Sequence, residues 1–202
     1  MKKFLSLALS LFMVFAMSVC AYAAEVNSDG GSGSTPVYLS STEDGTMTGE
    51  PSATAMSVTV PTALPMAMSQ TGDVTTADNC QIINNSYGAV RVKSVTISAE
   101  NGWNLTAFGD KSTLASEKVD SDQLGFAICI GNGEWAMTDS SNESAQALIS
   151  APIAGCYMSG VGNTANNTVS VDYRAIVTPL SSAVTNANIA NVVFVIEWDT
   201  AA

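Results

Sequence analysis

Histidine is absent from the chain. Without an imidazole there is no Ser-His-Asp triad, no Cys-His pair and no histidine-ligated metal. Basic residues are scarce as well, 7 lysines and arginines against 18 aspartates and glutamates, for a formal charge of −11. Binding to nucleic acid through phosphates needs a basic footprint that displaces counterions, and docking on anionic lipid headgroups needs one too. This chain offers neither. Charged residues of both signs make up only 12% of it, too few for the salt-bridged helical surfaces of cytosolic enzymes. The phosphate-cradling patterns G-x-x-x-x-G-K-[ST] and G-x-G-x-x-G do not occur, and no basic residue completes an S-x-x-K motif.

Cysteine is thin too. Cys20 lies in the leading apolar segment, which leaves Cys80, Cys129 and Cys156. An odd number means that at least one thiol is free or pairs between molecules. No C-x-x-C spacing is present, so zinc has no conventional ligand set. The three read as small buried apolar residues, and folding is expected to need no disulfide.

The one long apolar run is at the start. Lys2-Lys3 is followed by an apolar stretch over 4–19 and by Ala21-Tyr22-Ala23, the layout of a secretory signal peptide cut after Ala23. Val19 and Met17 stand where a lipid-attachment motif would carry a small residue and leucine, so Cys20 is not read as lipidated. Residues 1–23 are therefore expected to be removed, leaving five basic residues against 18 acidic ones, a net −13. The expected address is extracellular, secreted or held at the cell surface or cell wall, with no transmembrane segment in the mature chain.

Residues 24–54 read as a flexible tail, with the linker composition Asn-Ser-Asp-Gly-Gly-Ser-Gly-Ser over 27–34. Glu25, Asn27 and Asp29 before Gly30 imitate the start of a calcium loop, but Pro36 stands where the bidentate Glu belongs. A short edge strand is expected over 36–40, including Tyr38.

From residue 55 to 202 the chain alternates β-branched runs with Gly/Asn/Ser punctuation, the pattern of an all-β domain. The expected fold is a two-sheet antiparallel sandwich, immunoglobulin-like or jelly-roll-like. Its organising stretch is CQIINNSYGAVRVKSVTISAENGWNLTAF, residues 80–108. A strand over 81–84, a turn at 84–88 and a long strand over 90–99 read as a hairpin arm. Asn101-Gly102 then reads as a second, two-residue hairpin turn. Inside the long strand the apolar residues change phase, from Val90 and Val92 to Val95 and Ile97. Side chains alternate with period two, so keeping all four inward requires one extra residue, a β-bulge near Lys93-Ser94. The clearest later strands are 167–177 and 191–198. The last is apolar on both faces, which suggests a central strand or one covered by a partner.

Acidic chemistry is thinly supported. Glu134 and Glu197 could form a glycosidase pair in principle, but they are two among 18 acidic residues expected to be solvated.

Three runs, MSVTVPTALPMAM (56–68), TTADNCQIINNSYGAVRVKSVTISAENGWNL (75–105) and IANVVFVIEWD (189–199), resemble uncharacterised exported surface proteins of Gram-positive bacteria. They are also distantly similar to WxL cell-wall-binding domains. Trp103-Asn104-Leu105 matches that family's first motif, and Trp198 matches its second, with Thr200 in place of Leu. The resemblance implies a β-rich fold attached non-covalently to peptidoglycan or another surface polysaccharide. Because positions i and i+2 share a strand face, Trp103 and Leu105, like Trp198, are expected to be core anchors. Tyr38, Tyr87, Trp135 and Tyr157, in or beside turns, are the candidates for stacking on a glycan. The expected function is that of a non-catalytic structural or adhesive surface protein without cofactor or metal. The alternative is a carbohydrate-binding module for wall or extracellular glycan.

Overall fold

Alternating β-branched runs too short for helices can bury their apolar side only by pairing into sheets that stack on one another. The computed structural model describes residues 55–141 and 143–200, and in them the chain is an all-β sandwich. The signal peptide, the tail and Tyr38 lie outside the described residues.

The larger sheet runs in the order β1 (Val58–Thr59), β4 (Gln81–Asn84), β11 (Thr168–Val177), β7 (Gln123–Ile130) and β6 (Asn104–Thr106), with β8 (Ala136–Met137) also on β7. In the smaller sheet β5 (Val90–Ala99) is flanked on one side by β12 (Ala190–Trp198). On its other side lie β10 (Tyr157–Met158) and β9 (Ala145–Ile149). A separate ribbon pairs β2 (Met66–Met68) with β3 (Val74–Thr76). All pairings are antiparallel except β6 with β7. A helical turn, α1 (Ser112–Ala115), the only helix among the described residues, sits in the polar stretch before β7.

One core fills the space between the two sheets. Ile82, Leu105, Leu124, Phe126, Ile128, Ile130 and Val171 come from the larger sheet, and Val90, Val92, Val95, Ile97, Ile149 and Met158 from the smaller. Burying each such side chain contributes roughly 1.5–3 kcal/mol. Tyr173 stacks on Phe126 with ring centroids 6.1 Å apart. Its hydroxyl donates to the Pro65 carbonyl and accepts from the Ala77 amide, which ties the β2–β3 ribbon to the core. Among the described residues no helix is long and apolar enough to cross a membrane.

The expected bulge is present. Val195 faces Ser94 and Ile196 faces Val92, so Lys93 is the extra residue, and Val90, Val92, Val95 and Ile97 all lie buried on one face. A second irregularity skips Leu148 on β9, where Ile149 pairs with Val95 and Ala147 with Thr96.

Three expectations about pairing are overturned. The strands β4 and β5 do not form a hairpin, because residues 85–89 carry the chain from one sheet across to the other. At Asn101-Gly102 both residues have positive φ, 51° and 87°, and the Trp103 amide closes the turn on the Glu100 carbonyl at 3.1 Å. This is the local geometry of a tight hairpin turn, yet β6 leaves it to pair in parallel with β7 in the opposite sheet. Thirdly, of the two readings of β12, a central strand or one covered by a partner, the central one does not hold: among the described residues it pairs with β5 alone, and Val193 and Val195 are exposed. At the start of the domain only Val58–Thr59 forms a strand, and Met56 and Val60 stay exposed because β1 meets β4 over just two residues.

Deletion of Lys93 leaves Val90, Val92, Val95 and Ile97 in strict alternation, so all four stay inward on a regular strand in the same register with β12. The expected result is a Tm within a few degrees of the wild type, the loss being that of an exposed ion pair with Glu197. A Lys93 deletion whose Tm falls by roughly 10 °C or more would show that Lys93 is not the extra residue.

Candidate functional site

The turn joining β4 to β5 is built around Asn84, whose side chain is fully buried. Asn and Ser favour such positions because their side chains bond nearby backbone. Here Asn84 Oδ1 accepts from the Ser86 amide at 2.9 Å, and Nδ2 donates to the Gly88 and Ser159 carbonyls, each at 2.9 Å. Ser86 Oγ in turn accepts from the Ser57 amide at 2.8 Å, and the Val161 amide donates to the Ser86 carbonyl at 2.8 Å. The loop after β10 is thereby held against this turn. Gly160 permits the contact, since a Cβ there would lie 2.0 Å from the Tyr87 carbonyl oxygen.

This clasp places two of the tyrosine candidates at one end of the sandwich. Tyr87, in the turn, is 85% exposed, and Tyr157, at the start of β10, is 48% exposed. Tyr157 also borders a cleft of about 350 Å³ lined by Asn132, Asn166, Thr168 and Ser170. The floor of the cleft depends on Gly155, whose φ is +88° and where a Cβ would sit 2.1 Å from the Ile130 carbonyl oxygen. The cleft thus presents hydroxyls and amides beside one aromatic ring, a lining suited to polyhydroxylated ligands.

Trp135 is placed differently. It is partly buried, and the Arg174 guanidinium lies 4.4 Å from its ring centroid, in cation–π contact that occupies one face. Arg174 also lines a second cleft of about 440 Å³, together with Val74, Thr76, Asp78, Phe108 and Ala175.

The residues of the W-x-L-like motif divide. Leu105 is buried in the core, whereas Trp103 and Trp198 are partly buried and pack against its margin. The Trp198 ring lies on Gly88, where a Cβ would come within 3.0 Å of it. So Trp198 leans on the same turn that carries Tyr87.

Glu197, considered as half of a carboxylate pair, is held by Arg91 at 2.8 Å and Lys93 at 3.1 Å. These cations, Lys93 foremost, hold its carboxyl below the usual glutamate range. Glu134 is exposed in the β7–β8 loop of the larger sheet, while Glu197 is on β12 of the smaller one. Cys80, Cys129 and Cys156 are free thiols, and burial pushes the last two up, so both stay protonated near neutrality.

Reading the sequence alone misses Asn84 as a centre, and it misses the Arg174–Trp135 pair. The only sequence signal for the first was its turn chemistry; the second joins positions with no shared local pattern. No protein-family model, no curated protein and no solved structure matches this chain.

A carboxylate whose folded pKa is depressed adds stability above its unfolded pKa and loses it as pH falls through the folded value. Wild type should therefore melt above Glu197→Gln at about pH 7, with a smaller gap at about pH 3, below the ordinary glutamate range. Melting curves at both pH values check this; a gap that stays constant would contradict the ion-pair assignment.

Proposed function

We propose that the mature chain is a non-catalytic exported protein of the cell surface, structural or adhesive in role and held non-covalently at the cell wall. The observation that supports it most is where the buried polar side chains spend their hydrogen bonds. Asn84, Ser86, Thr138, Gln146, Asn167 and Thr178 are buried, and each bonds to backbone. Thr138 Oγ1, for example, donates to the Thr106 carbonyl at 2.6 Å and accepts from the Phe126 amide at 2.9 Å. An active site needs polar groups left free to meet a substrate; here these six are committed to holding loops on sheets, and among the described residues the buried polar side-chain atom without a partner is the Ser121 hydroxyl. That commitment suits a rigid scaffold, and a surface rich in Asn, Ser, Thr and carboxylate suits life outside the cell.

The second reading, a carbohydrate-binding module, draws support from Tyr157 beside its polar cleft and from the exposed Tyr87 ring. Aromatic faces with hydroxyl and amide neighbours recognise sugars by stacking and hydrogen bonding.

A pull-down of the mature protein with purified cell walls tests the proposal. The protein is expected to sediment with the walls. Trp103→Ala should lose binding only together with stability, at the lower end of the ~3–5 kcal/mol typical of a truncated core Trp because the ring is only partly buried. Protein left wholly in the supernatant would refute wall association. A Tyr87→Ala/Tyr157→Ala variant that melts like wild type but no longer binds would establish the module reading instead.

A further inference from the structure

Strand β12 is the longest open edge among the described residues; on β11 only 171–177 lack a partner strand, on the side of β4. The other edge strands, β1, β2, β3, β6, β8, β9 and β10, have two to five residues; β12 has nine and pairs along one side only. Sheets usually blunt such an edge with charge, proline or a bulge. Positions 189–196 carry no charge and no proline, and the bulge lies on β5, away from the open side. On the outer face Val193 and Val195 are 53% and 41% exposed.

We propose that β12 is the docking edge for a second copy of this chain, strand against strand and antiparallel, with the two-fold axis at Phe194. The strand is self-complementary in that register. All nine residues find partners: Phe194 faces Phe194 of the other copy, Val192 faces Ile196, and Ala190 faces Trp198. On the outer face Val193 meets Val195, and Asn191 meets Glu197. Cross-strand apolar pairs of this kind stabilise a sheet, and like charges placed directly opposite destabilise it.

Charge selects this orientation. Each mature copy carries a net −13, so a stable contact must keep carboxylates apart. In the antiparallel register the two Glu197 side chains lie six positions apart along the strands, about 20 Å at the usual rise. That exceeds the ~8 Å screening length at physiological salt. A parallel, in-register pair would set Glu197 beside Glu197 at about 5 Å. Glu197 is moreover already neutralised within its own copy by Arg91 and Lys93. The result joins two smaller sheets into one continuous sheet across the dimer. It names a partner for the proposed surface protein but does not rest on wall binding, so a wall-binding monomer would sink this inference alone.

Sedimentation velocity on the mature protein tests it, with charge-swapped variants as probes. Wild type is expected to dimerise reversibly, and the dimer fraction should rise with NaCl, because salt screens the repulsion between the acidic bodies. Val193→Lys/Val195→Lys places lysines directly opposite lysines and should be monomeric, as should Val193→Glu/Val195→Glu; mixed, the two should form a heterodimer. In dilute solution, where wild type is monomeric, both variants should keep its Tm, since these side chains lie on the exposed face. If a variant fails to fold, amide exchange on wild type decides: the Val192, Phe194 and Ile196 amides, which face the open side because Ile189 and Asp199 bond toward β5, should exchange at least about tenfold slower in the concentrated sample than in the dilute one. A wild type that stays monomeric at about 1 mM, a dimer that persists in both variants, or exchange independent of concentration would each overturn the proposal.

Discussion

A single buried amide side chain, that of Asn84, holds together parts of the chain that no local signal would bring into contact. Its two amide hydrogens reach carbonyls on the β4–β5 crossover and on the loop after β10, and its oxygen takes the Ser86 amide. Its own backbone pairs with Asn167, whose side chain returns a bond to the Asn84 carbonyl at 3.1 Å. Inside a protein an unpaired amide is costly, while a fully satisfied one fixes a unique arrangement. Here that arrangement carries the chain from one sheet to the other.

The apolar core follows from this crossover. Once residues 85–89 span the sandwich, β5 is delivered to the smaller sheet with Val90 and Val92 facing Ile82 and its neighbours across the core. The Lys93 bulge then returns Val95 and Ile97 to the same face. Trp198 closes this end by resting on Gly88, and the Asp199 amide bonds the Ala89 carbonyl at 3.0 Å. The exposed rings of Tyr87 and Tyr157 are consequences of the same clasp, which gives the candidate glycan-facing end a rigid base.

Strand positions were largely legible in the sequence, because a period of two survives in β5, β7 and β11, and the phase slip at Lys93 can be counted. Strand partners were not. Asn-Asn-Ser-Tyr-Gly and Asn-Gly report backbone angles at a turn, and the same angles serve a hairpin or a crossover between sheets. What chose the crossover at the first turn is a bond from Asn84 to Ser159, far along the chain. The edge position of β12 was hidden for a related reason: residues apolar on both faces suit a central strand and an edge awaiting a partner equally well. At the candidate site, the exposure of Tyr87 could be read from its turn. The burial of one Trp135 face under Arg174 could not, since it depends on how β11 lies beside the β7–β8 loop.

The central claim is that Asn84 organises the fold through its two donated hydrogen bonds, and Asn84→Asp tests it with the least change in shape. The substitution keeps the acceptor for the Ser86 amide but leaves the Gly88 and Ser159 carbonyls without a donor, facing a buried carboxyl group. Each unsatisfied buried group costs about 1–3 kcal/mol, and a charged one more. Urea and thermal unfolding of the variant should therefore show a loss of about 3 kcal/mol or more, a fall in Tm of roughly 6–12 °C. An Asn84→Asp protein that unfolds within about 0.5 kcal/mol of wild type would contradict the account.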